Sequence, residues 1–200
     1  MIKVYEVILD EDNLDGGINA ISLVSSPAID SNFIALSKEE KGEIQLKAIE
    51  GDRQILVGAA LIPNKPIYRK VGEEEFYIIF SKDTIRRASE LYFMRNNQNN
   101  TTLEHENKLT GLTTVESWIV ENVEMDKSKH LGLSVPVGTW MVTLKVEDDK
   151  IWNQLIKTEE VKGFSIEGYF VPELREKLSK VEINEYDSKI NEVKKILKLI

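Results

Sequence analysis

Lys162-Gly163-Phe164-Ser165-Ile166-Glu167-Gly168-Tyr169-Phe170 is the stretch on which the reading of this chain turns. As a strand, with successive side chains on opposite faces, it sets Phe164, Ile166 and Phe170 on one side and Ser165, Glu167 and Tyr169 on the other. One side is apolar; the other carries a hydroxyl and a carboxylate. Gly163 and Gly168 allow close backbone approach, a bulge or a sharp turn, any of which would leave the hydroxyl at a cleft. A serine on the solvent face of a half-buried strand is ordinary, and becomes a candidate nucleophile only beside a base that takes its proton. His105, in Thr102-Leu103-Glu104-His105-Glu106-Asn107, is the candidate base.

Composition narrows what such a pair does. Two hundred residues, 42% hydrophobic and 30% charged, suffice for one domain with a substantial core. Neither end carries a secretory signal or an apolar run long enough to span a membrane, which leads us to expect a cytoplasmic protein. With no cysteine, thiolate catalysis, disulfides and cysteine-ligated zinc are excluded. His105 and His130 are the two imidazoles and lie far apart in sequence, which argues against a histidine-rich metal centre; His130, in the polar loop Asn122 to Gly132, reads as solvated. Carboxylate-bound Mg²⁺ or Ca²⁺ is left open, and no cofactor is called for. A formal net charge of −8 opposes binding to nucleic acid or anionic membrane and suits a protein or peptide partner.

Outward from the central stretch, hydrophobic pattern assigns the elements. Ile2 to Leu9, Glu43 to Ile49, Phe76 to Phe80, Thr113 to Glu121, Thr139 to Val146 and Val181 to Tyr186 read as strands. Gln54 to Ile62 is almost unbroken apolar sequence with Gly58 and Ala59 inside it, the pattern of a central strand covered on both faces. Ile18 to Ile29, stopped by Pro27, reads as an apolar segment docked across the domain. Ser81 or Asp83 caps a helix to about Asn96, with Ile85, Ala88, Leu91 and Tyr92 inward and Arg86 and Arg87 on its wet face. Further helices are expected after Lys150, from Pro172 to about Leu178, and from Asp187 or Ser188 to the end. Trp118, Trp140 and Trp152 read as core. No repeat, phosphate loop or dinucleotide fingerprint is present. The fold class is α+β, a mostly antiparallel β-barrel or sheet flanked by helices. Residues 1–52 hold the N-terminal strand and docking segment, 53–186 the core, and 187–200 an amphipathic helix that is an extension or a removable tail.

Several blocks in this order resemble the phage prohead proteases of the XkdF-like family. They are Ala20-Ile21-Ser22-Leu23-Val24 with Pro27-Ala28, Glu104-His105, Glu116-Ser117-Trp118-Ile119-Val120-Glu121, Gly132-Leu133 with Gly138-Thr139-Trp140, Lys145-Val146, and Gly163 to Gly168. The resemblance implies a fold like that of the herpesvirus maturation proteases, a β-barrel ringed by helices, and a Ser-His pair. Carried over, the family's histidine falls on His105 and its serine on Ser165. It implies a serine endopeptidase in the host cytoplasm, inside the immature capsid, cutting scaffolding protein, major capsid protein and sometimes itself. Confinement there would favour a homo-oligomer by mass action.

Herpesvirus enzymes add a second histidine after the serine, and here no histidine follows Ser165. A carboxylate takes that place, or the site is a dyad. Glu167 is two residues along the same strand face, roughly 7 Å at about 3.3 Å per residue, within reach of the far nitrogen of His105. Glu182, Glu185, Glu104 and Glu106 compete with it. Two rival readings stand beside the protease: a noncatalytic capsid-assembly or scaffold-like protein, and a carboxylate hydrolase built on Glu104, Glu106 or Glu116.

Overall fold

The computed structural model describes residues 3–9, 16–29, 31, 33–36, 53–170 and 175–176. In chain order its strands are β1 (Lys3–Glu6), β2 (Gly17–Val24), β3 (Ile34–Leu36), β4 (Ile55–Leu61), β5 (Ile67–Val71), β6 (Glu74–Ile79), β7 (Thr101–Leu103), β8 (Asn107–Leu109), β9 (Leu112–Ile119), β10 (Trp140–Val146), β11 (Gly163–Tyr169) and β12 (Arg175–Glu176). A long helix, α1 (Lys82–Met94), follows β6. Shorter ones are α2 (Lys127–His130) and α3 (Asp149–Ile151), the latter running into a π-helical turn at Trp152–Ile156. The class is α+β, dominated by strands.

The closed barrel expected from the sequence is not found. Among the described residues the strands form three four-stranded sheets, ordered β12-β1-β6-β5, β3-β4-β10-β9 and β11-β2-β7-β8. Closure would need the outer strands of a sheet to hydrogen-bond to each other, and here β11 and β8 stand as edges of theirs. Pairing is antiparallel except for β1 with β6 and β2 with β7. A helix from Pro172 to Leu178 is also corrected, since Arg175 and Glu176 pair with β1 as β12. Strands expected at 43–49 and 181–186, the terminal helix, Glu182, Glu185 and the divisions at 52 and 186 fall outside the described residues.

Why β4 reads as continuous apolar sequence is plain from its position. It lies inside its sheet, between β3 and β10, and Leu56, Val57, Ala59, Ala60 and Leu61 are buried. A strand covered on both faces loses the two-residue alternation. Gly58 is where β4 backs onto the central stretch: a Cβ there would lie 2.9 Å from Phe33 Cβ and 3.2 Å from the Phe164 ring. Phe33 and Phe164 in turn stack with centroids 5.2 Å apart. Full burial of Phe164 contributes about 1.5–3 kcal/mol and fixes which face of β11 turns inward. Ser165 is thereby presented on the opposite face.

The helix α1 forms as its capping and periodicity dictate. Ser81 caps it, accepting from the Thr84 N–H at 3.3 Å, and Ile85, Ala88, Leu91 and Tyr92 are buried. Arg86 and Arg87 stay at the surface, paired with Glu121 and Glu90. Trp140 and Trp152 are core residues as expected, whereas Trp118 is half-buried at the rim, its Nε1 on Asp126 and Lys127 over its ring.

After α1, the asparagine-rich loop staples the chain to β2. Asn97 Nδ2 donates to the Ile18 carbonyl at 3.1 Å, Asn100 Nδ2 to the Asn19 carbonyl at 3.2 Å, and the Asn100 carbonyl accepts from the Ile21 N–H at 3.2 Å. Those bonds set the parallel register Ile21 to Thr101, Ser22 to Thr102 and Leu23 to Leu103. The polar loop thus determines where the next turn, which carries His105, lands.

Candidate active site

Three strands place the side chains. In β11 and β2 the register sets Ser165 opposite Ser22, and in β2 and β7 it sets Ser22 opposite Thr102. Directly paired residues share a face, so the three hydroxyl side chains form a row across the sheet. Two residues along β11, beyond Ser165, comes Glu167, followed by a register shift between Glu167 and Gly168. At the bulge the two backbones close up, and a Cβ on Gly168 would lie 2.1 Å from the Gly17 carbonyl oxygen. At the other end, a Cβ on Gly163 would lie 2.6 Å from the Pro27 ring. Both glycines serve the close backbone approach expected of them.

His105 sits in the hairpin turn between β7 and β8, which joins Leu103 to its partner Asn107. Glu104 and His105 have φ of +50° and +62°, and the Glu106 N–H closes the turn on the Leu103 carbonyl at 3.0 Å. Left-handed backbone at a non-glycine residue costs on the order of 1–3 kcal/mol, so something must hold the turn. Several contacts with β2 and its following residues do so. The Glu104 N–H donates to the Leu23 carbonyl at 3.0 Å, the His105 N–H to Ser22 Oγ at 3.0 Å, and the Ser25 N–H to the Glu104 carboxylate at 2.6 Å. Ser22 is fully buried and its hydroxyl donates onward to the Thr102 carbonyl at 3.4 Å.

So held, the imidazole meets Glu167: His105 Nδ1 lies 3.3 Å from Glu167 Oε1. The same carboxylate oxygen accepts from the Thr102 hydroxyl. With an ionised carboxylate, which only accepts, the contact is a hydrogen bond donated by Nδ1, and it leaves Nε2 as the acceptor nitrogen. Side-chain exposure is 43% for His105 and 28% for Glu167, which leaves the imidazole accessible from solvent. Ser165 is 8% exposed, and its hydroxyl makes no hydrogen bond among the described residues. Ser165, His105 and Glu167 all line one open cavity of about 650 Å³. Catalytic hydrogen bonds are commonly long before substrate binds, so a shared cavity with an oriented base is the informative geometry.

Of the competing carboxylates, Glu104 is occupied by the Ser25 N–H and Glu106 is exposed. Glu116 lies elsewhere, on β9, bonded to Lys127 and Thr143, whose hydrogen bonds hold its carboxyl below the usual range. None of these three carboxylates lines the cavity. His130 ends α2 at the surface. Among the described residues no group of three or more His, Asp and Glu side chains could hold a metal ion.

Two residues that bear on this geometry were not singled out from sequence as functional. Thr102 orients Glu167, and Ser22 anchors the His105 backbone. Removing the Ser22 hydroxyl leaves the His105 N–H without its acceptor and the strained turn with one tie fewer. Ser22→Ala is expected to lower kcat about 10- to 100-fold with KM little changed, and to cost about 1–3 kcal/mol of stability. Steady-state kinetics beside a denaturant titration checks both.

A family model described as "Putative phage serine protease XkdF" matches residues 43–171, more than half of the chain and a span that includes His105, Ser165 and Glu167. No curated protein and no solved structure matches the chain.

Proposed function

The chain belongs to the phage serine protease family of XkdF, and from that premise we propose that it is a prohead endopeptidase whose nucleophile is Ser165 and whose general base is His105. The observation that carries the proposal is the Glu167 carboxylate on His105 Nδ1, 3.3 Å away, in the cavity that Ser165 also lines. In the reaction, His105 Nε2 takes the Ser165 hydroxyl proton as Oγ attacks a peptide carbonyl, forming the tetrahedral adduct. The imidazolium returns the proton to the amine nitrogen as the C–N bond breaks, leaving an acyl-enzyme. Water, deprotonated by the same nitrogen, releases the acid and restores Ser165. Glu167 stabilises the imidazolium and holds its ring, and Thr102 holds Glu167. Ser165, His105 and Glu167 thus act as a triad with a carboxylate in the third place.

The substrates we propose are the phage scaffolding and major capsid proteins inside the immature capsid, and the enzyme's own chain. A cavity open to solvent suits an extended segment of another protein. The test is co-expression with those two proteins, followed by intact-mass analysis of every product. Discrete truncation of the scaffold or capsid protein is the expected result. Full-length partners that co-assemble with a folded, uncut enzyme would instead favour the noncatalytic assembly role.

A further inference from the structure

Arg69 stands on β5, whose alternation is regular: Ile67 is in the core, Tyr68 is exposed against Tyr77, and Lys70 is at the surface with Glu75. Arg69 therefore points the same way as the core residue Ile67. A cation on the inward face of a strand demands an explanation, because a desolvated guanidinium is costly unless it meets an anion. None is supplied by the described residues. Its one hydrogen bond is from Nη1 to the Tyr68 carbonyl at 3.0 Å, and among the described residues no carboxylate lies within 4.0 Å of it. Burial pushes its guanidinium below the ordinary pKa.

The space it faces is the cavity of Ser165 and His105, whose wall Arg69 forms together with residues of β11. Guanidinium presents five N–H donors in a planar fork matched to a carboxylate, and nearly all of that fork is unspent here. Resting on the protease reading above, we propose that Arg69 is a specificity-determining residue that binds the side-chain carboxylate of an aspartate or glutamate in the substrate, close to the bond that Ser165 cuts. A single fork reads a single subsite, so the acidic requirement falls at one position relative to the scissile bond. The substrate carboxylate would give the guanidinium the direct partner that no described carboxylate supplies.

The experiment uses the full chain and a random octapeptide library, with the cut products sequenced for wild type, Arg69→Gln, Arg69→Lys and Arg69→Glu. Wild type is expected to enrich Asp and Glu at one position. A matched peptide pair with Glu or Gln there should differ about 10- to 100-fold in kcat/KM, the factor that follows from one charge-assisted hydrogen bond. In Arg69→Gln that ratio should collapse towards one, in Arg69→Lys it should persist in weakened form, and in Arg69→Glu the favoured residue should become Lys or Arg. The inversion is a gain that misfolding does not produce. Acidic enrichment that is absent in wild type, or that survives in Arg69→Gln, while cutting still needs Ser165, would overturn the role of Arg69 and leave the protease standing. No cut peptide with wild type, when the capsid and scaffold proteins are also left whole, would overturn both.

Discussion

Ser165→Ala is expected to abolish cleavage, lowering kcat by at least about 10⁴-fold, while the fold is retained. The two halves of that expectation have separate causes. The Ser165 hydroxyl makes no hydrogen bond among the described residues, so its removal strips no structural partner. Stability should move by less than about 1 kcal/mol, the range for substitutions that break none of the usual contacts. The loss then belongs to chemistry, because the attacking oxygen is gone. His105→Ala should fall to a similar floor, since nucleophile and base act as a unit and their deletions do not add. Rates on a capsid-derived peptide, with a melting curve for each variant, check both halves. A Ser165→Ala enzyme that retains a tenth of wild-type activity would remove this residue from the mechanism.

Glu167→Gln is expected to lower kcat by about 10³- to 10⁴-fold, and it separates a triad from a dyad. The carboxylate oxygen that faces His105 Nδ1 also accepts from Thr102. An amide in its place keeps the shape and loses the charge. Turned one way, its carbonyl still accepts the Nδ1 proton but no longer stabilises the imidazolium. Turned the other way, its NH₂ donates to Nδ1, which forces the remaining proton onto Nε2 and leaves no base facing the serine. Either orientation defeats proton transfer. Kinetics of Glu167→Gln beside Thr102→Val checks this, with Thr102→Val expected to lose less because it only frees the carboxylate. A loss below tenfold in Glu167→Gln would mean that Ser165 and His105 work without a third member.

What could be read in the sequence follows from where alternation survives. In β11 the two-residue period separates Phe164 from Ser165 and Glu167, and the structure keeps them on opposite faces. The helix from Lys82 to Met94 was legible from its cap and its spacing. Residues 18–24 were not legible as a strand, because β2 is buried along most of its length, so alternation is lost, and Asn19 and Ser22 interrupt the apolar run that marks β4 as a strand. That hid Ser22, which lies at the centre of the row. Strand β5 was missed for the opposite reason: Tyr68, Arg69 and Lys70 between Pro66 and the glutamate run look like loop, and with β5 went Arg69.

The His105 turn carries no sequence mark of its conformation. Two consecutive left-handed residues ordinarily call for Asn-Gly or Asp-Gly, and here they are Glu104 and His105. Tertiary ties to Ser22, Leu23 and Ser25 override local preference, and such ties are invisible in a linear pattern. The approach of His105 to Glu167 across 62 residues was likewise beyond spacing arguments; reach along a strand only made it feasible. The expectation of a barrel or sheet came from the dominance of strands, and the herpesvirus resemblance turned it towards a barrel; periodicity specifies strands and faces but not how sheets close.

We propose above all that His105, oriented by Glu167, activates Ser165 as a nucleophile. Its most direct measurement is labelling with a fluorophosphonate, which phosphonylates an activated serine, followed by intact mass and peptide mapping of wild type and His105→Ala. One adduct per wild-type chain, on Ser165, is expected, and none on the folded His105→Ala variant. An adduct on another serine, or labelling of Ser165 at the same rate without His105, would contradict it.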